Sequence, residues 1–429
     1  MQVFKFGGAS VRDAVGVKNV AAILKNHAQN HASQSIFVVI SAMGKTTNGL
    51  ETVVDAYFKQ ETAAAYAALH AVRTQHEAIA VELFGTPEHP IFDALNDIFV
   101  EIEWILEEED PSETYDYLYD QIVSIGEFLS TRIVAAYLNE LGIATTWLDA
   151  RDVIRTDNTY RDGRIDWAET EARMQRVCPP LLAKGLVLTQ GFVGGTSENF
   201  TTTLGREGSD YTAAIAAYCL NAESMTVWKD VPGILSADPR LFSDVTKIDN
   251  LSYREAIEMT YYGAQVIHPK TIKPLQNKNI PMYVQSFLQP SEQGTVIGVA
   301  TLNETYPPMI VVKQNQVLLH ISTRDFSFVV EEHLADIFAL LAKHRLSANM
   351  MQNTAISFSV CLNNTKDRLD ALLADLQKTY SIRQDMELNL VTIRHYNDTA
   401  LVLVKTGKIV LLEERLADTV QIIVKNELA

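Results

Sequence analysis

The chain has 429 residues, 47% of them hydrophobic and 21% charged, with a formal net charge of −17. This composition excludes collagen-like, disulfide-scaffold and wholly disordered chains, and the acidic balance argues against broad binding of nucleic-acid phosphates. At about 150 residues per domain, the length predicts two to three domains. The three cysteines are scattered and no run of about 18 uncharged apolar residues occurs, so we expect a cytoplasmic protein without a membrane span.

The first part of the chain alternates apolar runs with helical spacing. Residues 2–6 form a strand candidate, and residues 12–25 show the spacing of an amphipathic helix. Residues 35–40 are apolar on both faces, as buried parallel strands require. The remaining candidates are strands over 144–148, 186–189, 224–228 and 281–286, and long helical regions over 50–84 and 91–141. This alternation predicts an α/β fold with a mainly parallel sheet.

A different pattern follows residues 301–308, which carry Pro307-Pro308 and are the best linker candidate. The predicted elements are a strand region over 310–322, a helix over 331–344, a strand over 356–362, a helix over 367–379, strands over 388–394 and 399–405, a short helix over 413–416 and a strand over 421–425. Short strands and helices in this order are typical of ferredoxin-like α+β modules.

Two strand candidates end in segments suited to polar ligands. After the first, Lys5 stands before Gly7-Gly8 and a helix start, a geometry that suits a phosphate, although such glycine pairs more often mark a plain strand-to-helix turn. Neither a P-loop nor a G-x-G-x-x-G fingerprint is present here. After the second, residues 41–48 carry hydroxyl and amide groups, which indicate either a ligand site at a strand's carboxyl end or ordinary turn chemistry.

Residues 201–212 form a more specific segment, with two glycines, an arginine, a serine and an aspartate leading into an apolar helix. Arg206 offers a planar fork for a carboxylate or phosphate. Ser209 and Asp210 have the residue types of helix caps, but capping does not explain a cation and an anion beside two glycines. The loop over 228–240 offers apolar cover and polar groups for a nucleotide, or is a surface turn.

Several segments together resemble the aspartokinases in order and spacing, over nearly the whole chain. They are residues 5–10, 41–48, 124–127 with Ser130, 190–194, 201–211, 229–240 and 263–269. The resemblance implies a three-layer αβα amino-acid-kinase sandwich with a mainly parallel central sheet over residues 1–300. It also implies a regulatory region over 309–429 with two ferredoxin-like α+β ACT domains, approximately 313–380 and 381–429. No dehydrogenase half follows, so the resemblance is to monofunctional members.

The activity implied by this resemblance is transfer of the ATP γ-phosphoryl group to the β-carboxylate of L-aspartate, giving 4-phospho-L-aspartate and ADP. That reaction is the first step towards lysine, threonine, methionine and diaminopimelate. It needs ATP and Mg²⁺, the metal being held by the nucleotide and water rather than by a protein site. A homodimer and an amino-acid effector, lysine or threonine, at the ACT region are also implied. The alternatives are a catalytically silent ACT-type sensor, or the same fold acting on glutamate, N-acetylglutamate or a nucleoside monophosphate.

The resemblance also implies roles for individual residues. Lys5 and Asp210 would be catalytic. The aspartate pocket would contain Ser41, Thr47, Glu127, Arg206 and Ser209. The nucleotide would contact Lys5, Gly7, Gly8, Lys229, Asp230, Leu235, Arg240 and Gln265. Without the resemblance, Glu127 is more simply interpreted as a helix-surface carboxylate, and His268 before Pro269 as a helix-boundary residue.

The sequence departs from the family pattern at a few positions. Ala9 replaces a usual threonine, Leu235 an aromatic residue of many relatives, and Gln265 a lysine of some, and these changes bear on nucleotide affinity. In the regulatory half, residues 326–333 lack a glycine, and Asn349 stands where lysine-sensitive relatives tend to have an aspartate. Because an amide pairs less well with an ammonium group, we expect lysine control to be weakened or lost.

Overall fold

The computed structural model describes residues 1–31, 34–107, 113–264, 267–300, 305–325 and 327–427. Its contacts divide the chain into two compact units. The first comprises Met1–Ile234, Lys247–Ile257 and Val266–Leu302, and the second comprises Leu235–Thr246, Glu258–Gln265 and Asn303–Ala429. The domain limits predicted from the sequence stay predictions. Part of the linker candidate, residues 301–304, lies outside the described residues.

A mainly parallel sheet forms the centre of the first unit. The strands up to residue 298 are β1 (Gln2–Phe6), β2 (Ile36–Ile40), β3 (Thr145–Leu148), β4 (Leu186–Gln190), β5 (Val193–Gly195), β6 (Thr201–Thr203), β7 (Ser224–Lys229), β8 (Ile234–Leu235), β9 (Lys247–Ile248), β10 (Asn250–Ser252), β11 (Met282–Ser286) and β12 (Thr295–Gly298). Eight of the described strands lie in the order β10-β12-β11-β7-β1-β2-β4-β3. All neighbouring pairs are parallel except β11 and β12.

Eleven α-helices are described in the chain up to residue 277. They are α1 (Ala14–Asn30), α2 (Thr46–Phe58), α3 (Thr62–Phe84), α4 (Ile91–Leu106), α5 (Tyr115–Val123), α6 (Ile125–Glu140), α7 (Ala150–Val153), α8 (Trp167–Leu182), α9 (Gly208–Cys219), α10 (Tyr253–Tyr261) and α11 (Pro269–Asn277). The two predicted long helical regions are therefore several shorter helices, and Gln60, in the left-handed conformation (φ 61°), lies between α2 and α3.

Residue size explains how closely the central helices approach the sheet. Every residue of β2 is buried, as its continuous apolar run predicts. Helix α9 contacts β1, β2 and β7 through a face rich in fully buried alanines, and α6 contacts β2, β3 and β4. Small side chains allow a helix backbone to lie near the strands without leaving voids. The three-layer α/β prediction is confirmed.

The second unit contains an antiparallel sheet. Its main elements are β13 (Met309–Thr323), α12 (Glu331–Lys343), β14 (Ala348–Asn353), β15 (Ser357–Asn363), α13 (Lys366–Leu376), β16 (Tyr380–Arg394), α14 (Asp398–Lys405), β17 (Lys408–Arg415) and β18 (Thr419–Asn426). The strand order is β14-β15-β13-β16-β18-β17. The run from β13 to β16 has the βαββαβ order of a ferredoxin-like module, which confirms that part of the predicted fold class.

Two predicted elements in this unit are wrong. Residues 399–405, predicted as a strand, lie in helix α14, because the Asn397 side chain caps the helix by accepting the Ala400 N–H and one face buries Ala400, Leu401 and Val404. Residues 413–416, predicted as a helix, lie mostly in β17, which pairs with β18. Tertiary pairing overrides the helix propensity of the glutamates and arginine there.

No helix in the described part of the chain is both long enough and apolar enough to cross a membrane. The three cysteines are buried and unpaired, and burial raises the pKa of each thiol to about 12. They are therefore unreactive side chains of the interior rather than nucleophiles or disulfide partners.

Candidate active site

A cavity of about 470 Å³ opens in the first unit, at the carboxyl ends of β1, β2 and β7. Ligands of open α/β sheets bind at this edge. Most of the candidate residues named from the sequence line it. They are Lys5, Gly8, Ser41, Thr47, Glu127, Arg206, Ser209, Asp210 and Lys229. Segments separated by more than two hundred residues thus converge on one pocket.

Two lysines share one buried carboxylate at the base of this cavity. Lys5 Nζ lies 2.6 Å from Asp210 Oδ1, and Lys229 Nζ lies 3.5 Å from Asp210 Oδ2. Lys5 and Asp210 are only 8% and 2% exposed. Burial opposes ionisation of Asp210, but the two ammonium groups outweigh it and hold its pKa below the ordinary value. The group carries a net positive charge, which suits it to a phosphoryl group.

Neither Ser209 nor Asp210 caps helix α9, although both have the residue types of helix caps. The N-cap of α9 is Glu207, in the left-handed conformation (φ 53°), and it makes no side-chain cap. Ser209 and Asp210 lie inside the first turn. Asp210 therefore points its carboxylate to the lysines, and the capping interpretation of both residues is wrong.

Glu127 is a buried carboxyl group in the first turn of α6, and only 4% of it is exposed. The interpretation as a surface carboxylate is therefore wrong. Burial raises its pKa to about 8, although the Ala42 N–H and the Lys5 cation act in the opposite direction. Its Oε2 atom has no hydrogen-bond partner among the described residues. A buried acceptor left unpaired indicates a place for a donor from a ligand.

Glycines bring the loops of the pocket into contact. A Cβ on Gly8 would lie 2.7 Å from the carbonyl oxygen of Ala42, and the Gly44 N–H donates to the Gly8 carbonyl at 3.0 Å. A Cβ on Gly191 would lie 2.4 Å from that of Ser209. Larger side chains would push these loops apart, so the first two loop motifs pack directly on each other.

Four of the remaining residues predicted for the nucleotide site do not line this cavity. Gly7 and Asp230 are not among the residues that line it, and Asp230 is exposed. Leu235 and Arg240 belong to the second unit, where the Arg240 guanidinium pairs with Asp238 at 2.7 Å. Gln265 lies outside the described residues. The roles assigned to these positions stay predictions.

His268 lies at a helix boundary. His268 is the N-cap of α11 and its Nδ1 accepts the Lys270 N–H, so the helix-boundary interpretation is confirmed. In the described part of the chain, no group of three or more His, Cys, Asp or Glu side chains could hold a metal ion.

Sequence reasoning missed part of the wall of the pocket. Tyr119 and Arg161 line the cavity but belong to no recognised motif, whereas Phe192 and Thr203 lie in the motif segments 190–194 and 201–211 and have no predicted role. Phe192 adopts the left-handed conformation (φ 68°), and its N–H donates to the Thr212 hydroxyl at 3.0 Å. These residues come from separate elements, so no local spacing in the sequence could reveal that they meet.

The chain is similar to known proteins over most of its length. Residues 1–286 match the model of the amino acid kinase family. The chain is 34% identical over 369 residues to lysine-sensitive aspartokinase 3 of Escherichia coli strain K12, covering 85% of this chain and 78% of the relative.

Two solved structures of E. coli aspartokinase III superpose on nearly the whole chain. The complex with lysine and aspartate (T-state) gives a TM-score of 0.81 at 29% identity, covering 99% of this chain and 95% of the other. The complex with aspartate and ADP (R-state) gives 0.80 at 30% identity, covering 99% and 96%.

Proposed function

The chain belongs to the amino acid kinase family, among the aspartokinases, and from that premise we propose that its cavity phosphorylates the β-carboxylate of L-aspartate with ATP. The observation that carries this proposal is the buried Lys5–Asp210–Lys229 group beside Glu127 in one pocket. Cations for phosphoryl oxygens and an unpaired acceptor for an ammonium group are the two features that the pair of substrates requires.

The reaction needs positioning and charge neutralisation rather than a base. The β-carboxylate, with an ordinary pKa of about 3.9, is ionised at neutral pH. One of its oxygens forms a bond to the γ-phosphorus while the bond from that phosphorus to the β–γ bridging oxygen breaks, and ADP leaves. No proton moves. The obstacle is repulsion between two anions, which Lys5 reduces at the transferring phosphoryl group while Asp210 holds its ammonium group in place.

The remaining roles follow the chemistry of the two substrates. Arg206 would bind the α-carboxylate and Glu127 the α-ammonium group, while hydroxyl groups of the pocket bind the rest of the amino acid. Those hydroxyls belong to Ser41, Thr47 and Ser209. On the nucleotide side we propose the backbone of Gly7 and Gly8 and the side chains of Lys229, Asp230, Leu235, Arg240 and Gln265.

The residues of the pocket fit a Mg²⁺ ion that enters with the nucleotide. Asp210 is paired with two lysines, and the described residues form no acidic cluster, so phosphate oxygens and water would supply the ligands. When bound, the ion neutralises phosphate charge. Gly8 lines the cavity, so its backbone is within the space that this phosphate chain would occupy.

ADP release from Mg-ATP tests this function directly. We expect turnover with aspartate and none with glutamate, N-acetylglutamate, UMP or no acceptor. Turnover with another acceptor alone would replace aspartate in the proposal. A folded protein that binds lysine or threonine but turns over no acceptor would instead be an amino-acid sensor.

The raised pKa of Glu127 predicts that aspartate binding releases a proton. With a pKa of about 8 in the empty site, this carboxyl group is protonated at pH 7. An ammonium group beside it favours the ionised form, so its pKa falls in the complex and the proton leaves. Aspartate affinity should therefore rise with pH up to about 8 and then level off.

Calorimetric titration with aspartate at pH 7, in two buffers of different protonation enthalpy, measures this proton. We expect up to about one proton released per site. The Glu127→Gln variant keeps the shape of the side chain and cannot ionise, so the release of a proton on aspartate binding should disappear. Equal release from both proteins would contradict the role given to Glu127.

We further propose the division into a catalytic domain over 1–300 and two ACT modules over 309–429, a homodimer in the cytoplasm, and regulation without tight lysine inhibition. The Asn349 amide donates to Gln316 Oε1 and Asn363 Oδ1, both at 2.8 Å, and its oxygen accepts from Lys313 Nζ at 3.0 Å. An effector's ammonium group would meet an occupied amide and a neighbouring cation there.

Adding lysine to the aspartate-dependent assay checks this regulatory proposal. We expect the rate to change by less than about twofold at millimolar lysine, because the acceptor oxygen of Asn349 is already used. Threonine, alone or with lysine, is the parallel measurement. Tight inhibition by lysine would contradict the proposal without affecting the kinase assignment.

A further inference from the structure

Asp120, on helix α5, is a fully buried carboxylate that lies behind the pocket. It is not among the residues that line the cavity. Its Oδ2 accepts the backbone N–H groups of Arg161 and Thr203, both at 2.9 Å, and its Oδ1 accepts the Thr203 hydroxyl at 2.7 Å. Burial raises its pKa to about 6 while these hydrogen bonds favour ionisation, so the carboxylate is charged at neutral pH.

These hydrogen bonds join two segments that are distant in the sequence. One is the turn that carries Arg161, which adopts the left-handed conformation (φ 66°), and the other is the end of β6. The Gly163 N–H donates to the Thr203 carbonyl at 2.9 Å and closes the junction. A non-glycine residue in that conformation persists only where its surroundings hold it, and Asp120 supplies the hydrogen bond to its backbone.

The joined segments carry a wall of the pocket. Arg161, Thr203, Gly205 and Arg206 all line the cavity. Gly205 is itself left-handed (φ 74°), and a Cβ there would lie 3.2 Å from the Arg161 carbonyl oxygen. The position of the loop that leads to Arg206 therefore depends on the turn that Asp120 holds.

The side chain of Arg161 is also held on its outer side. Its guanidinium carbon lies 4.3 Å from the ring centroid of Tyr119, whose hydroxyl donates to Glu51 at 2.7 Å. Arg161 Nη1 lies 3.3 Å from Asp116 Oδ1. Arg161 and Arg206 therefore both face the pocket. The buried carboxylate of Asp120 fixes the backbone of Arg161 and the strand that leads to Arg206.

We propose that Asp120 is a positioning residue for the aspartate side of the pocket, acting through the Arg161 turn and Thr203 on Arg206. This inference rests on the proposed function. It assigns Asp120 no contact with substrate. It therefore predicts a change in the affinity for aspartate and not in the use of ATP, because Lys5 and Lys229 stand on β1 and β7, outside the joined segments.

Steady-state kinetics of Asp120→Ala and Asp120→Asn test the proposal. The alanine variant should raise KM for aspartate by about tenfold to a hundredfold, as small misplacements of binding groups do. KM for ATP and kcat should stay within about threefold of the wild type. The asparagine variant keeps an oxygen for the two backbone N–H groups and should restore KM for aspartate to near the wild-type value.

Two neighbouring threonines on β6 provide a matched pair of variants. This second test remains available if the Asp120→Ala variant does not fold. Thr203 and Thr202 are both fully buried, but Thr203 bonds to Asp120 whereas Thr202 bonds to the Thr156 hydroxyl at 2.6 Å. Thr203→Val should raise KM for aspartate, and Thr202→Val should not. A general loss of stability would lower the amount of active enzyme in both variants, but it would not raise KM for aspartate relative to KM for ATP.

The kinetic results separate a failure of the positioning role of Asp120 from a failure of the proposed function. An unchanged KM for aspartate in a folded Asp120→Ala variant, or equal increases in both KM values, would overturn the positioning role. If that variant does not fold, a Thr203→Val protein with the same KM as Thr202→Val would overturn it. A wild-type protein that does not turn over aspartate would contradict the proposed function itself, and aspartate binding measured by calorimetry would then decide the role of Asp120.

Discussion

Replacing Lys5 by methionine is expected to lower kcat with aspartate by about a thousandfold, the scale seen when a preorganised group that stabilises transition-state charge is removed. The Lys5 ammonium group lies 2.6 Å from Asp210 Oδ1 and the residue is only 8% exposed, so its charge is little screened by water. Methionine fills similar space and removes only the charge and its donors. Initial rates of ADP release, with both substrates saturating, measure the loss.

Lys278 offers a matched control for this experiment. It is also partly buried and paired with a carboxylate, since its Nζ lies 3.1 Å from Glu171 Oε1. It stands between α11 and β11 and does not line the pocket. Lys278→Met should leave kcat unchanged. A Lys5→Met protein that unfolds like the wild type in denaturant and keeps more than about a tenth of its kcat would contradict the role given to Lys5.

Replacing Arg206 by glutamine should raise KM for aspartate by about a hundredfold, equivalent to about 2.7 kcal/mol, because a charge-assisted pair with the α-carboxylate is lost. Lysine at this position keeps the charge without the planar fork, so Arg206→Lys should fall between glutamine and the wild type. KM from initial rates at saturating ATP measures both variants. Arg173→Gln, which removes an arginine paired with Glu169 at 2.5 Å on α8, is the control.

An acceptor analogue sharpens the assignment of Arg206. β-Alanine has the amine and the reacting carboxylate of aspartate but lacks the α-carboxylate. The wild type should therefore favour aspartate strongly over β-alanine, and Arg206→Gln should lose most of that preference. A variant that discriminates between the two acceptors as well as the wild type does would place the α-carboxylate elsewhere.

The elements best predicted from the sequence are those whose local pattern leaves one solution. The run that became β2 is apolar on both faces, of strand length and rich in β-branched residues, which together favour a buried parallel strand. Residues 399–405 and 413–416 gave no such signal, because their local patterns are compatible with both a helix and a strand. Their structures depend on the Asn397 cap and on pairing with β18.

Residues of the candidate site also differ in how far the sequence predicts them. Lys5 and Asp210 stand in motifs, and the sequence indicated both, although only the fold shows that Asp210 serves two lysines. Asp120 and Arg161 are 41 positions apart and meet through one backbone hydrogen bond. Contacts of that kind depend on loop geometry rather than on residue type, so a single sequence does not reveal them.

Strands β13 and β16 are each 15 residues long, and they pair with each other from Met309–Arg394 to Thr323–Tyr380. A truncation after residue 380 would therefore remove β16 from one side of β13, leaving β15 on the other side, and would expose an open edge ready for intermolecular pairing. Because β13 and β16 link the two halves of this sheet, we expect a domain swap in this region to need residues 309–426 together with 235–246 and 258–265, which belong to the same compact unit.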